Sequence, residues 1–173
     1  MNKKNNTVVI IALVLYLLLL AWAILFKFLP PRELIFDLNG YRSPINLVPF
    51  GAMLGNPREA VKELVFNLIA FVPLGMLISA LGRPRRAWGA VAVGFLISLF
   101  FEAFQYAFRI GAADITDIIL NTAGTALGVG LYAVLRAILK EKAPRVTGVV
   151  LLVCEALFIS AAVLLLAVSD VTY

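Results

Sequence analysis

Five apolar stretches, each closed off by charged or proline-bearing segments, limit this chain to one kind of fold. They run from Val8 to Phe26, Val61 to Leu81, Ala87 to Phe108, Asp114 to Leu139 and Thr147 to Val168. A helix rises about 1.5 Å per residue, so roughly 20 apolar residues cross the ~30 Å hydrocarbon core of a bilayer. Hydrophobic residues make up 62% of the chain and charged residues 14%, against about 25% charged in soluble domains, so the chain lacks the polar surface that water requires. The expected fold is therefore all-α, a polytopic transmembrane helix bundle of about five spans, forming a single domain over residues 1–173.

Composition also removes several chemistries. Histidine is absent, which excludes histidine-based triads, histidine metal sites and the usual proton switch near neutral pH. The single cysteine, Cys154, lies in an apolar run; it can form no intrachain disulfide and its expected role is packing. The net charge of +5 does not point to nucleic acid, because the Lys and Arg residues flank the spans instead of forming one patch. Lys3, Lys4, Arg83, Arg85, Arg86, Lys140, Lys142 and Arg145 fall on one side; Arg32, Arg42, Arg58, Lys62 and Arg109 fall on the other. The richer side is cytoplasmic by the positive-inside rule, giving a cytoplasmic N-terminus and an extracellular C-terminus in a plasma membrane. Ala21-Trp22-Ala23 has the small-x-small form of a signal-peptide cleavage site, but the apolar run continues through Ile24, Leu25 and Phe26, so the first span reads as an uncleaved anchor.

Between the first two spans lies a long segment, PRELIFDLNGYRSPINLVPFGAMLGNPREA, too polar to cross a membrane. It reads as an interfacial or re-entrant loop, either a functional lid or an aromatic belt at headgroup level.

The polar residues inside the spans carry the functional signal. Glu102, Gln105 and Arg109 recur at i, i+3 and i+7, which places them on one helix face; Asp114, Asp117 and Asn121 repeat that spacing after a break at Gly111. Counting residues from the span ends puts Glu102, Asn121 and Asn67 each roughly 10 Å below the surface. Three helices thus bury polar groups at one level, with Gln105, Arg109, Asp114 and Asp117 above them. Together these would line a shallow pocket open to the outer leaflet, roofed by the Asn46 to Phe50 segment.

Structural roles compete with this reading. Asn67 and Asn121 suit interhelical hydrogen bonding, worth about 0.6 kcal/mol apiece on average, and the spacing of Gly124 and Gly128 suits close helix contact. A Glu102–Arg109 ion pair would satisfy the buried carboxylate without any ligand. Asp114 and Asp117 complement a helix dipole. Glu102, Asp114 and Asp117 could also hold a divalent cation through oxygen ligands, although no metal-binding spacing is present and no resident cofactor is expected. Glu155 lies apart from this group; a neighbouring hydroxyl, or protonation, is expected to satisfy it.

The set Asn46-Leu47-Val48-Pro49-Phe50, Asn67 through Gly75, Ser98 through Glu102 with Gln105, Arg109, Asp114-Ile115-Thr116-Asp117, and Asn121-Thr122-Ala123-Gly124 with Gly128 resembles the signature of the VanZ family. The resemblance covers residues 44–135. It implies a small polytopic membrane protein of the Gram-positive cell envelope linked to resistance against teicoplanin-type lipoglycopeptides, and it fixes no reaction. Three functions then compete. The first is a non-enzymatic protein whose outer pocket binds a lipid headgroup, a lipid-linked cell-wall precursor or a lipoglycopeptide through Asn46, Asn67, Glu102, Gln105, Arg109, Asp114, Asp117 and Asn121. The second is a membrane enzyme using Glu102, Asp114 or Asp117 as acid/base or metal ligands. The third is a proton-coupled transporter or flippase using Glu102 and Glu155. Membrane lipid is the expected partner in each case, nucleic acid in none, and the oligomeric state stays open.

Overall fold

The computed structural model describes residues 3–26, 45–51, 55, 57–82, 87–108, 110 and 112–171. Five long helices follow one another within them: α1 (Lys3–Phe26), α2 (Pro57–Leu81), α3 (Ala87–Phe108), α4 (Ile115–Leu139) and α5 (Ala143–Val171). Their lengths of 24, 25, 22, 25 and 29 residues all suffice to cross hydrocarbon, and the protein is a multi-pass, all-helical membrane bundle. Four continuous stretches are long and apolar enough to span, the last of them, Ile115–Leu165, being 51 residues long. Straight, that stretch would measure about 75 Å, more than twice the hydrocarbon thickness. It bends back instead. α4 ends where Lys140 takes φ 51° and returns its N–H to the Arg136 carbonyl, and a 3-10 turn over Lys140–Lys142 leads into α5.

The helix ends follow local chemistry more than hydropathy. α2 starts at Pro57, ahead of the apolar run, because proline suits the first helical position and Glu59 in the first turn complements the helix dipole. α4 starts at Ile115, with Asp114 as its N-cap: the Asp114 carboxylate accepts the Thr116 N–H at 2.7 Å. α5 starts at Ala143, earlier than hydropathy suggests.

Two buried clusters fix the helix directions. Val9, Ala12, Leu77, Ala80, Tyr132 and Ala143 meet at one end of the bundle. Leu20, Ile24, Leu25, Phe71, Leu74 and Phe101 meet nearer the other. The start of α1 therefore lies beside the end of α2 and of α4 and the start of α5, so α1 and α5 run one way and α2 and α4 the other. α2 packs most extensively on α4, although α3 separates them in sequence. That contact is made close by glycine. A Cβ at Gly75 would lie 2.1 Å from the Thr125 carbonyl, one at Gly124 2.1 Å from the Leu68 carbonyl, and one at Gly128 2.0 Å from the Val72 carbonyl. α1 is also tied to α2 near Pro73, where the Tyr16 hydroxyl donates to the Ala70 carbonyl.

Large apolar side chains on the outer faces, among them Leu18, Leu96, Leu131 and Leu164, stay exposed as a lipid-facing belt. Cys154 belongs to that outer surface, so the packing role expected for it is not what it has. Much of the loop expected after α1, including Phe36 and Tyr41, lies outside the described residues, as do the basic turn of Arg83, Arg85 and Arg86, and Arg109 with Gly111.

Candidate ligand-binding cavity

The chain re-enters the bundle at residues 45–51 and builds a feature that hydropathy does not announce. Ile45–Asn46 (β1) pairs in parallel with Ala113–Asp114 (β2), in the register Ile45 with Ala113 and Asn46 with Asp114. Parallel strands need a long crossover, and here α2 and α3 supply it. Side chains then tie the pair to the helices. The Asn46 amide donates to Asp114 Oδ2 at 2.8 Å, and its own carbonyl accepts the Val48 N–H at 3.1 Å. The Phe50 N–H reaches Thr116 Oγ1 at 2.9 Å, with Phe50 held at φ 59°, a left-handed conformation that a bulky residue adopts only when its surroundings impose it.

Glu102 braces this joint from below. It is 3% exposed, and its Oε2 accepts the Asp114 N–H at 2.8 Å. One acid of α3 thus fixes the backbone of the residue that caps α4, which in turn holds Asn46. Gln105, a turn further along α3, donates to the Ile24 carbonyl at 3.0 Å and fastens the end of α1. Deeper in the bundle the Asn121 amide donates to Ser98 Oγ at 2.9 Å, and Thr125 Oγ1 donates to the Asn121 carbonyl at 2.9 Å. Both asparagine partners are fully buried, which is the interhelical role weighed for Asn121.

Beside this scaffold lies a cavity of about 370 Å³, within the range of small-molecule sites. Its walls include Asn67, Gln105, Asp114 and Asp117 together with Ala23, Ile24 and Phe66. Of the residues expected at a pocket, these four polar ones converge on it. Glu102, Asn121 and Asn46 do not line it; they hold the elements that do. Arg109, and with it the expected Glu102–Arg109 pair, falls outside the described residues. Two lining residues had no place in the expected site: Lys62 and Glu63, from the first turns of α2. They read in sequence as ordinary charges at a helix entrance, and although exposed they stand at the rim of the cavity once α2 packs on α4. Lys62 is also paired with Glu59 at 2.7 Å in an exposed contact of small energetic weight. Among the described residues, Glu63, Asp114 and Asp117 set more negative than positive charge at the cavity. Among the described residues no group of three or more acids or cysteines is arranged to hold a metal ion.

Several apolar helices long enough to cross a bilayer, with a polar cavity and a strand pair at one end of the bundle, define a small multi-pass membrane protein. The VanZ/LLP1 family model matches residues 13–136. A curated relative, Protein VanZ of Enterococcus faecium, is 37% identical over 130 residues, covering 75% of this chain and 76% of the relative. The chain belongs to the VanZ/LLP1 family. No solved structure matches it.

Proposed function

We propose that this is a VanZ-type, resistance-associated protein of the bacterial plasma membrane, with its N-terminus cytoplasmic, and that the cavity at the start of α2 and α4 binds the polar part of an amphiphile without transforming it. The observation that carries the reading is the convergence of Asn67, Gln105, Asp114 and Asp117 on a single cavity at the edge of an apolar bundle. Carboxylates outnumber the one lysine there, which favours a ligand presenting amines and hydroxyls. A lipid-linked cell-wall precursor, a lipid headgroup and a teicoplanin-type lipoglycopeptide all offer such groups beside an acyl chain. Of the three acids weighed for an enzymatic reading, Glu102 and Asp114 are engaged in holding backbone and amide N–H groups, and Asp117 lines the cavity.

Binding of teicoplanin and of a lipid-linked cell-wall precursor to the purified chain in lipid nanodiscs tests the proposal. Saturable binding of either, weakened about tenfold by Asp117→Asn through loss of a charge-assisted hydrogen bond, supports it. Equal binding by the wild type and the variant contradicts it.

A further inference from the structure

A second cavity of about 370 Å³ lies between α1, α2 and α5, away from the strand pair. Its walls are almost wholly apolar and include Leu20, Phe66, Pro73 and Cys154, with Tyr16 and Glu155 as the polar exceptions. Tyr16 is already engaged, since its hydroxyl donates to the Ala70 carbonyl. Glu155 is not. It is 5% exposed, and neither of its carboxyl oxygens has a hydrogen-bond partner among the described residues. The hydroxyl expected to satisfy it does not do so: that of Tyr16, on the same cavity wall, donates to Ala70 instead.

An acid inside a span is expensive and ordinarily has a partner or a task. Glu155 sits midway along α5, beyond residues 13–136 that match the family, so the family's shared chemistry does not explain it. The cavity it faces opens sideways: Ile69 and Phe158 among its walls stay 60% and 45% exposed on the outer, lipid-facing surface. A molecule dissolved in the bilayer can thus enter without crossing the headgroups. Such a molecule would pass from one apolar space into another, and it needs only one polar group, a donor matched to a carboxylate.

We propose that the α1–α2–α5 cavity is a binding site for a lipophilic amine, with its apolar body against Leu20, Phe66 and Pro73 and its ammonium on Glu155. A cationic donor suits the site better than a hydroxyl because a carboxylate has no donor of its own and binds a charged donor more strongly. The site is independent of the polar cavity, although Ala23 and Phe66 form a wall common to both.

Cys154 supplies the probe. It is the chain's single cysteine, it is exposed, and it lines this cavity. The experiment measures the rate at which membrane-permeant N-ethylmaleimide alkylates Cys154 in the full chain in lipid nanodiscs, with dodecylamine or dodecanol as competitor. Dodecylamine is expected to protect Cys154 at concentrations about tenfold lower than dodecanol, the ratio a charge-assisted hydrogen bond implies, and Glu155→Gln is expected to abolish that difference. Equal protection by the two amphiphiles in the wild type overturns the proposal, and this comparison needs no variant to fold. So does an amine preference that survives in Glu155→Gln.

Discussion

Asn46 and Asp114, 68 residues apart, are joined by a 2.8 Å hydrogen bond between the Asn46 amide and the carboxylate that also caps α4. One side chain thereby does two things: it starts a membrane helix and anchors the segment that returns to the bundle after α1. The start of α4 and the 45–51 segment are consequently one unit, and a change on either side propagates to the other.

Asn46→Ala removes both the bond to Asp114 and the carbonyl that accepts the Val48 N–H. Loss of bonds of this kind costs about 1 kcal/mol, which corresponds to roughly fivefold faster local opening. Hydrogen exchange should show that loss of protection at Val48 and Phe50, with α2 and α4 unaffected beyond their first turns.

Glu102 separates an acceptor's role from a charge's role. Glu102→Ala leaves the Asp114 N–H without its partner, at about 2 kcal/mol and so a fall of about 5 °C in the unfolding temperature of a chain this size. Glu102→Gln retains an oxygen that can accept that N–H and is expected to lose clearly less. Thermal unfolding of the purified protein in detergent compares the two.

Glycines of one helix make opposite predictions. A methyl group at Gly128 would meet the Val72 carbonyl at 2.0 Å, whereas at Gly130 nothing lies within 4 Å. Gly128→Ala should destabilise by about 1–3 kcal/mol, because the obstacle is backbone and cannot swing aside. Gly130→Ala should be neutral or slightly stabilising, since alanine favours helix over glycine by up to about 1 kcal/mol. Unfolding midpoints of the two variants give the comparison directly.

Much of this architecture is legible in the chain itself. Membrane helices announce themselves by length and hydropathy, and a residue's depth follows from the fixed helical rise. That is why Asn67, Gln105, Asp114 and Asp117 could be expected at one end of the bundle before their neighbours were known. What hides is whatever depends on how helices lean. Two-residue strands such as Ile45–Asn46 and Ala113–Asp114 have no periodicity to detect. Glu102 and Asn121 look like pocket residues at the depth they occupy, yet their rotation on α3 and α4 turns them to the Asp114 backbone and to Ser98. Lys62 and Glu63 look like entrance charges and line the cavity. Glu155 stands out in sequence as a buried acid, but the emptiness around its carboxyl group depends on where Tyr16 directs its hydroxyl.

The proposal that the polar cavity does this protein's work is tested most directly by teicoplanin susceptibility in cells carrying the wild type, Asn67→Ala, Asp117→Asn or the double variant at matched membrane levels. Neither side chain is a partner in the Asn46–Asp114, Phe50–Thr116, Asp114–Glu102 or Thr116–Asp114 bonds. The expected result is a stepwise return of the inhibitory concentration to that of cells without the protein, complete in the double variant. Undiminished resistance in a folded, well-expressed double variant would contradict the account.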